Sequence, residues 1–318
     1  GRAKKSGWET IDGKKYHFTD GKMDEGWIKI NNDTYFLNDL HDGTFGSLVT
    51  GWKYVTNVDD DNSETPDQEG WYYFDTNGKM VYGKERKIGN YFYAFDDNGL
   101  MQDNWVAMEK TSGSNLVYKY YNAQNGDRVD GWKYLQDMDE DEGLDTEEGW
   151  YFFKHGIPYT ASNKTTKINN GYGVAKINGK IYCFDNLGKM VTGKVDSSQS
   201  GEYFYFDDKN GDMKYGKVRL TNSEDLDDND YYFAEKGSIG HKGIAFTGVH
   251  KQYLYNHGVL VKAEDSKYEI VNVNGKNYLV NKSGKVLTKG TYRDTDDDLK
   301  YTVTVDSTGN YVIKTEKM

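Results

Sequence analysis

The sequence predicts an all-β chain, an elongated β-solenoid of stacked β-hairpin repeats. Three observations carry that prediction. One strand-and-turn stretch returns along the whole chain. The composition is rich in Tyr (28) and Gly (36) and poor in Pro (2). No segment shows the apolar spacing of a helix of useful length.

The clearest copy of the stretch is residues 69–84, Glu-Gly-Trp-Tyr-Tyr-Phe-Asp-Thr-Asn-Gly-Lys-Met-Val-Tyr-Gly-Lys. Trp71 to Phe74 favour a pleated surface. Alternation puts Trp71 and Tyr73 on one face and Tyr72 and Phe74 on the other. Asn77-Gly78 is expected to supply the positive-φ positions of a tight turn. Met80 resumes the apolar pattern as the start of another strand, and Gly83 permits the next bend.

Further copies run from Tyr16 to Met23, Phe92 to Met101, Tyr182 to Lys194 and Phe204 to Lys217. Weaker ones begin at Tyr35, Tyr120, Trp150, Tyr231, Tyr253 and Tyr278. That makes about eleven copies of roughly 20–30 residues, a period that signals a solenoid or array. Gly-Trp opens several of them, at Trp8, Trp27, Trp52 and Trp132, with Asn104-Trp105 as a variant.

A chain of 318 residues would ordinarily suggest two globular domains. Only 36% of it is hydrophobic, too little for one large core but suited to small units that bury aromatic faces on their neighbours. Disorder is opposed by the 15% aromatic content. The net charge of −11 disfavours nucleic acid as a partner. No apolar run is long enough for a membrane span, and no secretory leader is visible. Cys183 is the single cysteine and takes the place of the motif's second Tyr, so a structural thiol facing off a strand is expected.

In order, the units bearing Trp fill residues 1–160. Residues 51–74 and 131–153 read as longer-range duplicates, each with an acidic insert between its strands. Residues 161–318 hold units poor in Trp and a C-terminal cap; there Gly193-Lys and Gly216-Lys replace the Gly-Trp openings. The whole of 1–318 is expected to form a single array, its end units atypical because they must show a polar outer face.

Gly51-Trp-Lys-Tyr together with residues 70–83 resembles the cell-wall-binding repeat family. That family includes the choline-binding modules of streptococcal surface proteins, the glucan-binding repeats of glucosyltransferases and the receptor-binding repeats of large clostridial toxins. The resemblance covers about residues 6 to 290, with around eleven motifs in register. It implies a β-hairpin solenoid, a secreted, Gram-positive, cell-wall-associated origin, and binding to wall polymers or glycans without catalysis.

In choline-binding members, two tryptophans of one hairpin and a tyrosine of the next surround a quaternary ammonium, by attraction to the ring faces. Carried over residue by residue, Trp52 and Trp71 are the two tryptophans and Tyr93 the tyrosine. Trp132 and Trp150 make a second pair, with Tyr182 as its third wall. The sequence departs from the pattern at Ala94 and Cys183, and Trp8 and Trp27 face Lys15 and Thr34 instead of a second tryptophan. The plainer reading is that these aromatics only pack the hairpin stack.

Asp137, Asp139, Asp141, Asp145 and Glu148 stand at positions 1, 3, 5, 9 and 12 of a calcium-loop pattern. Position 6 needs glycine and holds Glu142, so a solvated acidic turn is the competing reading. Asp296-Asp-Asp298 reads as a charged surface turn. Apart from calcium, no cofactor is expected.

Enzyme readings find little. The six histidines show no metal-ligand spacing, and neither a nucleophile elbow nor a phosphate loop appears. The carboxylates lie in turns, without a cleft to shift their pKa. The expected partner is the choline of cell-wall teichoic acid, or a wall glycan. The alternatives are an adhesive spacer, or the repeat region of a larger surface protein, toxin or enzyme that binds a host surface glycan or protein.

Overall fold

The computed structural model describes residues 6–56, 65–109, 116–136 and 146–318. Secondary structure there is strand, bridge and turn, without a helix among the described residues. Two compact units are present. The first comprises the chain up to Lys133 together with Phe153–Pro158; the second comprises residues 134–136, 146–152 and Tyr159–Met318.

Each unit is a succession of antiparallel hairpins. In the first, Gly7–Ile11 pairs with Lys14–Thr19, Gly26–Ile30 with Asp33–Leu37, and Gly51–Val55 with Gly70–Phe74. Lys84–Ile88 then pairs with Tyr91–Phe95, and Asn104–Glu109 with Leu116–Tyr121. In the second, Gly173–Ile177 pairs with Lys180–Phe184, Gly193–Asp196 with Tyr203–Phe206, and Gly216–Leu220 with Asn229–Phe233. Gly248–His250 pairs with Tyr253–Asn256 and Tyr268–Val273 with Lys276–Asn281. Gly290–Asp294, Leu299–Val305 and Tyr311–Lys317 close the chain as one sheet, whose last strand is mostly exposed.

The predicted alternation is realised. Tyr72 and Phe74 are fully buried, whereas Trp71 is 44% exposed. The inward face repeats as Phe204 with Phe206 and as Tyr231 with Phe233. Burying one such ring contributes about 1.5–3 kcal/mol, so each hairpin depends on its neighbours to cover a two-ring face.

The turn differs from expectation. Left-handed backbone falls on Gly78 (φ 80°) and not on Asn77. The reason is the carboxylate of Asp75, which accepts the N–H groups of Asn77 (2.8 Å) and Lys79 (2.9 Å) and builds an Asx-type turn. Asp96 and Asp185 do the same for their own turns. Met80 also differs: it bridges back to Phe74 instead of starting a strand, and the next strand begins at Lys84.

Those tails join the hairpins. The Leu48 N–H donates to the carbonyl of Lys15 (2.7 Å), Met80 to Thr34 (2.9 Å) and Arg128 to Phe92 (2.8 Å). In the second unit Met213 donates to Ile181 (2.8 Å) and Ala245 to Tyr203 (2.9 Å). In every case the segment after one hairpin bonds the second strand of the hairpin before it. The motif's methionine and glycine meet at the same joint. A Cβ on Gly99 would lie 2.6 Å from the sulfur of Met80, and one on Gly126 would lie 2.4 Å from that of Met101. Gly211 with Met190 and Gly243 with Met213 repeat the contact in the second unit. The turn glycine is therefore required both by its own φ and by the methionine of the preceding repeat.

Cys183 is fully buried among Val174, Phe204 and Phe206, and burial pushes its thiol pKa up, the state of an inert structural cysteine. Asp296, Asp297 and Asp298 form an exposed turn, as expected.

Candidate functional site: an aromatic groove between two hairpins

Trp52 lies on the first strand of its hairpin and Trp71 on the second. Register makes them diagonal neighbours, because Trp52 pairs with Tyr73 and Tyr54 pairs with Trp71. The same diagonal separates Trp8 from Lys15 and Trp27 from Thr34, whose direct partners are His17 and Phe36. Long side chains reach across such a diagonal. The Trp52 and Trp71 rings lie 6.4 Å apart at 87°. Tyr93, from the next hairpin, packs edge-on to Trp52 at 4.7 Å, and Phe95 lies 5.8 Å from Trp52.

These rings wall a cavity of about 320 Å³ lined by Trp52, Trp71, Tyr93, Met101, Gln124 and Asn125. The three residues carried over from the sequence thus share one cleft. Sequence reasoning missed Met101, Gln124 and Asn125. The last two come from the turn after Leu116–Tyr121, a further hairpin along. Gly126 closes that turn over Met101, which brings the residues just before it to the groove, a contact set by the offset between hairpins and not by any local sequence signal.

The groove is electrically mild at its walls. Partial burial, with Asp127 and Tyr91 nearby, holds the Tyr93 phenol above its ordinary pKa, so the ring is neutral at physiological pH. Ala94, where a second Tyr was absent from the sequence pattern, is buried opposite Glu85, on the other face of the strand from Tyr93.

Earlier hairpins repeat part of the arrangement. Trp8 meets Tyr35 at 5.2 Å and 66°, and Trp27 meets Tyr72 at 4.9 Å and 76°. Each opening tryptophan therefore stands edge-on to the tyrosine of the following hairpin. Only at Trp52, among these three, is the diagonal position also a tryptophan.

The second predicted set divides between the units: Trp132 belongs to the first, Trp150 and Tyr182 to the second. Within the second unit Trp150 is 45% exposed and stands 5.5 Å from Tyr134 at 73°, matching Trp71 with Tyr54 at 5.3 Å and 73°. Tyr182 is half-buried opposite Ala175. Tyr151 and Tyr72 are both buried, with hydroxyls donated to the carbonyls of Glu147 and Gln68. The duplicated design of the two insert-bearing hairpins extends to these details.

Of the calcium-type set, Asp137, Asp139, Asp141 and Asp145 lie outside the described residues. Glu148 accepts the Tyr134 hydroxyl at 2.7 Å, as Glu69 accepts that of Tyr54 at 3.1 Å. Glu69 makes the bond in a hairpin without calcium-loop spacing, so the bond is a feature of the hairpin. Among the described residues no group of three or more His, Cys, Asp or Glu is placed to hold a metal.

Residues 172–217 match the family model described as a choline-binding repeat; residues 6–23, 25–39 and 67–80 match that of a putative cell wall binding repeat. These matched segments have the sequence pattern of cell-wall-binding repeats. Glucosyltransferase-S of Streptococcus mutans serotype c is 27% identical over 217 residues, 67% of this chain and 12% of that protein. Glucosyltransferase-I of Streptococcus downei is 24% identical over 241 residues, 75% of this chain and again 12% of the relative. The chain thus spans a small part of the curated relatives it matches. Among solved structures, choline binding protein F from Streptococcus pneumoniae aligns over 98% of this chain and 100% of its own, at TM-score 0.52 and 22% identity. CbpJ from Streptococcus pneumoniae aligns over 96% and 100%, at TM-score 0.54 and 21% identity. At such identity the likeness is one of fold.

Proposed function

We propose that this chain is a non-catalytic binding module of a secreted, cell-wall-associated protein. It grips a wall polymer through choline-like groups seated in the Trp52–Trp71–Tyr93 groove. The observation that carries the reading is the convergence of three neutral rings from two hairpins on one cleft, with Trp71 still 44% exposed. A quaternary ammonium is attracted to such ring faces and needs no hydrogen-bond donor from the site. The match of residues 172–217 to a choline-binding repeat supports it.

A ring contact of this kind is worth about 1–2 kcal/mol when partly desolvated, so one groove binds weakly, in the millimolar range. Repetition along a polymer would raise the effective affinity without any new contact. We read the inter-hairpin bonds as the joints of a β-solenoid within each unit, which suits that mode.

A glycan is the second reading, favoured by Gln124 and Asn125. Their amides line the same cleft and suit sugar hydroxyls over an aromatic floor. A host surface glycan or protein falls under this second reading. Retention on purified choline-bearing wall material, and its release by free choline, tests the proposal. Retention that choline leaves intact favours the glycan; no retention on wall material removes the choline and wall-glycan readings and leaves a host surface ligand.

A further inference from the structure

We infer that Lys15 is a built-in occupant of a second aromatic groove, formed by Trp8 and Tyr35, and keeps it closed to external ammonium groups. This rests on the choline-type reading of the Trp52 groove. The register is set by the glycine that opens each hairpin. Gly51 pairs with Phe74, which places Trp71 three residues before that phenylalanine. Gly7 pairs with Phe18, which places Lys15 at the same position. Trp8 is then the counterpart of Trp52, and Tyr35, two residues before Leu37 opposite Gly26, is the counterpart of Tyr93.

The tryptophan–tyrosine contact is already in place at this groove. Trp8 and Tyr35 rings lie 5.2 Å apart at 66°, against 4.7 Å and 69° for Trp52 and Tyr93. The third wall is replaced by a cation. Lys15 Nζ lies 4.5 Å from the centre of the Trp8 ring, where an ammonium gains most from an indole face. Its attachment to the neighbouring strand gives it a high effective concentration there, which a free ammonium must outcompete.

The second unit repeats the device with different residues. Lys194 follows Gly193 at the Trp52 position, and its Nζ lies 5.1 Å from the ring of Tyr203, which holds the Trp71 position. Lys217 follows Gly216, and its Nζ lies 5.7 Å from the ring of Tyr253, which holds the Tyr93 position. In three hairpins that lack the tryptophan pair, a lysine of the chain itself lies over a ring at one of the three corresponding positions. Of the three, Lys15 lies on an opening tryptophan that already packs edge-on to the tyrosine of the next hairpin.

Choline chloride titrated into the full chain, with the indole N–H signal of each tryptophan followed by nuclear magnetic resonance, tests this. In the native protein the Trp52 and Trp71 signals move and Trp8 stays. In Lys15→Ala the Trp8 signal moves too, with affinity about tenfold weaker than at Trp52 because one ring is missing. In Lys15→Trp the two sites become comparable. Movement of Trp8 in the native chain at the same choline concentration as Trp52 would overturn the inference. So would a Trp8 signal that stays still in both variants while Trp52 responds. If no indole responds in any of the three proteins, the choline reading of the Trp52 groove falls. Lys15 is then decided by its ε-methylene protons. They should lie upfield of those of Lys14 and return to ordinary values in Trp8→Ala; protons without that shift reject the occupant.

Discussion

The groove at Trp52 and its counterpart at Lys217 are built on one frame and carry opposite chemistry. In both hairpins the opening glycine faces a buried phenylalanine, Phe74 or Phe233. In both, the tyrosine two residues earlier is buried and gives its hydroxyl to the carbonyl four residues before it. Tyr72 does so to Gln68 at 2.6 Å and Tyr231 to Asp227 at 2.9 Å. The diagonal pair is where they part. Trp52 and Trp71 in one are Lys217 and Asp230 in the other, and Asp230 accepts the ammonium of Lys262 at 3.1 Å. The frame is held by inward residues, and the outward diagonal is free to hold an aromatic pair or two charged residues that find partners elsewhere. Fold and binding can therefore vary independently from hairpin to hairpin.

The largest effect expected from this separation is on the inward face. Phe74→Ala should lower unfolding free energy by about 3–5 kcal/mol, whereas Trp71→Ala, from the half-exposed face, should cost under about 1 kcal/mol. Denaturant titration of both variants checks the contrast; equal losses would mean that Trp71 is part of the core.

A smaller effect is expected at the joint between hairpins 84–95 and 104–121. Glu85 accepts Lys119 at 3.0 Å, Arg128 at 3.1 Å and the Tyr121 hydroxyl at 2.8 Å. Burial alone would raise the carboxyl pKa, but the bonds from Lys119, Tyr121 and Arg128 outweigh it and leave it lowered. A lowered folded pKa means stability that is present above the unfolded carboxylate value, near 4.3, and is lost as pH falls through the folded value. Glu85→Ala should cost about 1–3 kcal/mol at neutral pH, less in acid. Urea melts of both proteins at pH 7 and below 4 compare the two; a cost independent of pH would assign the role to packing. The smallest effect is at the ion-bearing diagonal. Lys217→Ala should change stability by less than about 1 kcal/mol, because its ring contact is exposed. A larger loss in the same melts would make that lysine part of the frame.

Much of this frame was legible in the sequence, because an alternating aromatic run followed by Asp, Gly and Met states its own strand, turn and buried face. The groove trio was legible through the family resemblance, since spacing alone does not distinguish a cage from a stack. The turn at residues 75–80 was not. Asn-Gly suggests a two-residue hairpin, and the local bonds of Asp75 override it. The glycine–methionine joint and the Glu85 cluster were also unread, since each joins residues from successive repeats and depends on how far one hairpin is offset from the next. Gln124 and Asn125 escaped for the same reason.

The central claim is that the cleft between hairpins 51–74 and 84–95 is a working aromatic site. Isothermal titration of choline chloride into the native chain and into Trp71→Ala tests it most directly. The account predicts millimolar-range binding to the native chain that Trp71→Ala weakens at least about tenfold while its unfolding midpoint stays close to native. Binding of equal strength to both proteins, or no binding to the native chain, would contradict it.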